Sequence, residues 1–149
     1  MPVPLFVHQS IEIHAHPQRV WDVLTQPEYT NQWTGEFQMY GGLSSDWQLG
    51  SPVEWRTKEG KVQVKGVVTA FELFKKLRFT VEDVDMVWEG ERTEADGITY
   101  ELEENENKTQ LTVSQGDFGV KPEYHQYYLA TEKTWSIVLP RIKALAEEM

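Results

Sequence analysis

The chain has no cysteine, which excludes disulfides, thiolate metal sites and a thiol nucleophile. Basic residues are scarce: 14 Lys and Arg stand against 24 Asp and Glu, a formal net charge of −10. Nucleic-acid binding depends on Lys and Arg neutralising phosphates, and an anionic membrane surface attracts the same side chains, so neither partner suits this balance. No apolar run approaches the ~20 residues that span a bilayer. The start, MPVPLFVHQS, lacks the basic segment and long apolar stretch of a secretory leader. A cytoplasmic, soluble protein is the expectation. Internal repeats, a nucleophile elbow, a phosphate loop and a dinucleotide fingerprint are all missing from the sequence. The adjacent acids Glu103-Glu104 and Glu147-Glu148 diverge in direction and read as charged surface, not as an acid–base pair. No catalytic residue, cofactor or metal is therefore expected, and the protein is expected to be non-catalytic.

What is present is apolar and aromatic. Hydrophobic residues make up 40% of the 149, with six each of Trp, Tyr and Phe, enough for one sizeable core in one domain spanning residues 1–149. SIEIHAH alternates, with Ile11 and Ile13 on one face and Glu12, His14 and His16 on the other, a strand with one wet side. Pro17 ends that strand and suits the first turn of a helix carrying Val20, Trp21 and Leu24. Thr25 and Glu28 have capping-box spacing around Pro27, which predicts a second short helix ending near Trp33.

From Pro52 to Gly116 the period is two: Val53, Trp55 and Thr57; then KVQVKGVV after a Glu59-Gly60 turn; then Leu77, Phe79 and Val81; Ile98, Tyr100 and Leu102; Leu111 and Val113, with a polar turn at Asn105 to Asn107. The final segment recurs at steps of four and three through Tyr124, Tyr128, Thr131, Trp135, Val138, Ile142 and Leu145, a helix opened by Pro122 and bent at Pro140. On it Tyr128, Thr131, Trp135, Val138 and Ile142 are expected to face the sheet, and Glu132, Lys133 and Lys143 water. The order is strand, two short helices, five or six antiparallel strands, long helix: an α+β chain. A curled sheet must cover its apolar face, and one helix laid across it leaves space at an end for a pocket.

The run HPQRVWDVLTQPEYTNQWTG, with Pro17, Val20-Trp21, Leu24-Thr25, Pro27 and Trp33, resembles the opening signature of the START-like, pollen-allergen-like helix-grip superfamily (SRPBCC). Within it the chain is most similar to the branch named for the activator of heat-shock protein 90 ATPase homologue, C-terminal-domain type. The Thr109 to Val113 strand, a D-F-G step at Phe118 and the Trp135 to Lys143 run extend the likeness over nearly the whole chain. The resemblance implies the helix-grip fold, a curved antiparallel sheet wrapped around a long C-terminal helix. It also implies a chaperone partner as one alternative.

The expected function is binding of a small, largely apolar molecule between that helix and the sheet, walled by Trp21, Leu24, Trp33, Trp55, Val68, Phe79, Tyr100, Leu102, Val113, Tyr128, Thr131, Trp135 and Leu139. Any one of these aromatics serves equally well as plain core; together under a concave sheet they suit a partly open pocket. Thr131 either bonds the carbonyl one turn back or faces the cavity. Alternatives are an enzyme of the same fold acting on hydrophobic substrates, and a co-chaperone; a homodimer is the other assembly to test. His8, His14 and His16 share a strand parity that also begins metal sites, but a solvated strand face accounts for them. His125 reads as a surface residue, and Met86 to Trp88 as either a hairpin or a lid.

Overall fold

The structure, a computed structural model, describes residues 5–37, 42–83, 97–116 and 125–148. Strand β1 (Val7–Ile13) is followed by helices α1 (Pro17–Thr25) and α2 (Pro27–Trp33) and a 3₁₀ turn, Thr34–Phe37. Then come β2 (Gly42–Ser45), β3 (Pro52–Arg56), β4 (Val62–Glu72), β5 (Lys76–Thr80), β6 (Glu82–Asp83), β7 (Gly97–Asn105) and β8 (Lys108–Gly116), and last helix α3 (His125–Glu147). The sheet runs β1-β8-β7-β5-β4-β3-β2, with β6 paired to β4. Every pairing is antiparallel. This is the expected α+β helix-grip architecture.

Alternation drives the strands. In β7 Ile98, Tyr100 and Leu102 are buried while Glu101 and Glu103 are exposed; in β8 Thr109, Leu111 and Val113 are buried. The β7–β8 hairpin closes through Glu106 and Asn107, both left-handed at φ 52° and 67°, as a two-residue turn of matching twist requires. Strand β4 changes partners along its length, pairing with β3 and β6 through its first half and with β5 beyond Val67. Gly66 marks the changeover. A Cβ there would fall inside the van der Waals shell of the Thr80 carbonyl oxygen, and the next amide, Val67 N–H, donates to Thr80 Oγ1 at 2.9 Å. Only glycine lets the two backbones approach so closely.

Helix α3 covers the concave face, packing on β1, α1 and α2. It buries Trp135, Val138, Leu139, Ile142 and Ala146 and continues through Pro140, which is exposed and takes one backbone donor out of the helix. Gln9 Nε2 ties the helix to β1 by donating to the Glu132 carbonyl at 2.9 Å.

The structure departs from the sequence expectations at four points. Among the described residues the strands after the helical corner number seven, because the short β2 and β6 carry too few residues to show a period. Thr25 does not cap α2: it is the last residue of α1 and its hydroxyl donates back to the Trp21 carbonyl at 2.8 Å. With Pro27 at the first helical position the cap falls on Gln26, whose side chain makes no cap bond. Glu132 and Lys143 are half-buried, the Lys143 ammonium being held by the Glu12 carbonyl and the Glu147 carboxylate at 2.8 and 2.6 Å. Tyr128 and Thr131 are likewise only half-buried, whereas Trp135, Val138 and Ile142 face the sheet as expected. Pro122, Tyr124, Phe118 and the segment Met86 to Trp88 lie outside the described residues.

Candidate functional site

The period of two points Phe79 of β5 and Tyr100 of β7 to the same concave face, and the β5–β7 register sets them on neighbouring rungs. Trp135 comes down on them from α3, Trp33 from the end of α2, and Trp55 from β3. The rings close a circuit: Phe79 to Tyr100 at 5.8 Å between centroids, Tyr100 to Trp135 at 6.1 Å, Trp135 to Trp33 at 6.2 Å, Trp33 to Trp55 at 6.3 Å, and Trp55 to Phe79 at 6.5 Å. Three of these contacts are edge-to-face, at 62°, 78° and 80°, the arrangement ring quadrupoles favour. Val68 lies opposite Phe79 across β4–β5, and Val113 opposite Tyr100 across β7–β8. Leu139 continues the wall one turn beyond Trp135, and Leu24 is buried on α1.

Three tryptophans have their indole N–H satisfied. Trp33 Nε1 donates to the Val23 carbonyl at 2.8 Å, Trp47 Nε1 to the Thr25 carbonyl at 3.1 Å, and Trp135 Nε1 to Gln115 Oε1 at 2.8 Å. The Tyr100 hydroxyl is the contrast. It is fully buried, has no hydrogen-bond partner among the described residues, and burial pushes its pKa far above the usual phenol range. Thr30 and Thr34, one turn apart beside Trp33, are also fully buried with unpartnered hydroxyls. Thr25 and Thr134 show the usual alternative, each donating to the carbonyl four residues back, at 2.8 and 2.9 Å. Thr30 and Thr34 do not.

Trp21 and Leu102 belong elsewhere. Trp21 meets Phe71 and Phe74 edge-on at 5.7 and 6.0 Å, not the circuit. Leu102 helps floor a surface cleft of about 620 Å³ between the start of α1 (His16, Pro17, Gln18), the β4–β5 turn (Leu73, Phe74, Lys75) and the end of β7 (Glu103, Glu104). Phe74 turns this corner at φ 64°. Tyr128 donates to Glu132 Oε2 at 2.9 Å, and that bond raises its pKa. Thr131 sits one turn before Trp135, half-buried.

Sequence reasoning missed Trp47, which is buried, stacks edge-on against Phe79 at 5.4 Å and holds a left-handed φ of 53°. The available signal was a tryptophan set in the polar stretch SSDWQLG, where so large an apolar ring has to find the core. Phe71 and Phe74 were missed too.

The histidines are not brought together. His8 Nδ1 pairs with Ser114 Oγ at 2.9 Å, His14 with Glu12 at 3.2 Å, and His16 with Glu104 at 3.3 Å, all on the exposed surface. Among the described residues no group of three or more His, Asp or Glu is placed to hold a metal ion. No described helix is long and apolar enough to cross a membrane.

The fold recurs in solved structures of low sequence identity. A protein from Mesorhizobium loti superposes with a TM-score of 0.72 at 20% identity, covering 97% of this chain and 98% of its own. The Aha1 dimer from Colwellia psychrerythraea gives 0.67 at 18%, covering 93% of each chain. An HSP90 activator from Plasmodium falciparum gives 0.69 at 15%, covering 95% of each. No curated protein matches the chain in sequence. The family described as Activator of Hsp90 ATPase homolog 1-like protein matches residues 14–147, which takes in every described element except β1 and the last residues, and the chain belongs to that family.

Proposed function

We propose that this protein binds a small, largely apolar molecule between α3 and the concave face of the sheet, against Phe79, Tyr100, Trp135, Trp33 and Trp55, without catalysing a reaction. The observation that carries the reading is the Tyr100 hydroxyl, fully buried in an aromatic interior with no partner among the described residues. Leaving such a group unmet costs about 1–3 kcal/mol, and a buried polar atom without a partner calls for a reason. A ligand that brings its own polar atom supplies one. Affinity would come chiefly from apolar burial at ~25 cal/mol per Å².

An enzyme would need a titratable group working at this site. Among the described residues the fully buried polar ones are threonines and Tyr100, and a phenol held neutral is a donor, not a base. The test is native mass spectrometry of protein purified under mild conditions, followed by titration of tryptophan emission with the molecule recovered. A stoichiometric small molecule that shifts the emission is expected; a bare mass and unchanged emission with every apolar compound offered would remove the proposal.

The family, and the likeness to an HSP90 activator and to a dimeric Aha1, support a second reading in which the chain partners a chaperone or a copy of itself. Stimulation of heat-shock protein 90 ATPase turnover and light scattering after size exclusion test these two separately.

A further inference from the structure

Resting on the binding reading above, we infer that the bound molecule is uncharged and presents a hydrogen-bond acceptor of carbonyl type to the Tyr100 hydroxyl. Two independent features of the interior carry this. The first is what the buried polar groups are. Among the described residues they are the hydroxyls of Thr25, Thr30, Thr34, Thr57, Thr109 and Tyr100 and the indole N–H groups of the buried tryptophans, with no buried Lys, Arg, His, Asp or Glu. An ionised ligand drawn into that interior would have no counter-charge. Desolvating an ion costs several kcal/mol unless a paired charge and good hydrogen bonds repay it. Fatty-acid-like carboxylates and amines are excluded on that ground, and a neutral body is selected.

The second feature is which polar groups are already engaged. Thr25 donates to the Trp21 carbonyl and Thr109 to the Ala15 carbonyl at 2.7 Å, so both hydroxyl protons are used. Tyr100, Thr30 and Thr34 have no partner among the described residues, and neither does the Thr57 hydroxyl just beyond β3. Tyr100 stands on the sheet between Phe79 and Trp135, the point where a flat apolar body lying under α3 meets a polar atom. A phenol is a better donor than acceptor, and burial keeps this one protonated at every physiological pH. The matching ligand atom is an acceptor: a ketone, ester or amide oxygen on an otherwise apolar skeleton. The hydroxyls of Thr30 and Thr34, beside Trp33, leave room for a second polar atom on the α2 side of the same molecule.

The experiment uses three probes of one shape: 2-ethylnaphthalene, 2-acetylnaphthalene and 2-naphthoate at pH 7, titrated calorimetrically into the wild type and Tyr100→Phe. In the wild type the acetyl probe is expected to bind about tenfold more tightly than the ethyl probe, the gain of one buried hydrogen bond. The naphthoate is expected to bind at least about tenfold more weakly than the acetyl probe. In Tyr100→Phe the acetyl advantage over the ethyl probe should vanish. Naphthoate binding as tightly as acetylnaphthalene in the wild type overturns the inference without any variant, as does an acetyl advantage that survives Tyr100→Phe; binding of the ethyl probe would leave the apolar site itself standing. If none of the three binds, the binding reading fails and takes this inference with it.

Discussion

Replacing Tyr100 by phenylalanine should make the ligand-free protein more stable, the reverse of what removing a core hydroxyl usually does. The ring keeps its contacts with Phe79 and Trp135, so the substitution deletes one oxygen and one proton and nothing else. A buried hydroxyl without a partner costs about 1–3 kcal/mol against its hydration in the unfolded chain. Against this, losing one atom's dispersion contacts costs a few tenths of a kcal/mol, at roughly 0.1–0.2 per atom pair. The net is a gain of about 1 kcal/mol or more, or about 2–4 °C in Tm per kcal/mol for a chain of this size.

Two threonines calibrate the reasoning with one chemistry. Thr25→Val removes a hydroxyl that bonds the Trp21 carbonyl and should lose about 1 kcal/mol. Thr30→Val removes one with no partner among the described residues and should be neutral or stabilising. Both replacements keep the β-branch, so helix propensity hardly enters. The assay is guanidinium unfolding followed by fluorescence and circular dichroism, on protein unfolded and refolded first to strip any bound molecule. An unchanged slope with a shifted midpoint reports stability alone. If Tyr100→Phe loses 1 kcal/mol or more at constant slope, the hydroxyl is satisfied in the free protein, and the case for a ligand acceptor there collapses.

Two further outcomes follow from the backbone and the surface. Gly66→Ala should destabilise by about 1–3 kcal/mol or abolish folding, because its Cβ would meet the Thr80 carbonyl, which is rigid backbone; a melting temperature equal to wild type would show that the sheet is not pinned there. Glu147 has its pKa lowered, first by the hydrogen bond from Lys143 and then by the His14 amide, so it contributes stability above the ordinary carboxylate value of 4.5 and loses it as pH falls through the lowered one. Glu147→Gln should therefore cost about 0.5 kcal/mol or less at pH 7, given the exposure of the pair, and nothing in strong acid; a loss independent of pH, measured by urea unfolding at both ends, would assign it to packing instead.

The periodic elements were legible because the physics behind them is periodic. Ile98, Tyr100 and Leu102 had to share a face, and Trp135, Val138 and Ile142 had to share a helix stripe, whatever they packed against. The places where the reading failed are those where a single tertiary contact outweighs local preference. Nothing in the letters of Trp47 or Phe74 announces a left-handed backbone, which side chains of that bulk ordinarily avoid; each holds it where its ring reaches a neighbour, Trp47 on Phe79 and Phe74 on Trp21. The T-x-x-E pattern at Thr25 failed for a related reason. The hydroxyl had a carbonyl of its own helix within reach, and Pro27 had already fixed the next helix to begin one residue later than that box requires.

The candidate site divides along the same line. That its walls are aromatic was readable, since Trp33, Trp55, Phe79, Tyr100 and Trp135 are apolar wherever the chain puts them. Which of them neighbour one another was not: Trp21 and Trp33 come from one helical corner twelve residues apart, yet only Trp33 joins the circuit, because α1 turns Trp21 toward Phe71 and Phe74. Least legible of all was which polar atoms go unmet. Tyr100, Thr25, Thr30 and Thr34 are four hydroxyls of similar sequence setting, and only coordinates separate the one that bonds a carbonyl from the three that do not. Those three are where the chemistry of a ligand is written. An apolar wall accepts any apolar body, but an unpaired donor selects the molecule that completes it.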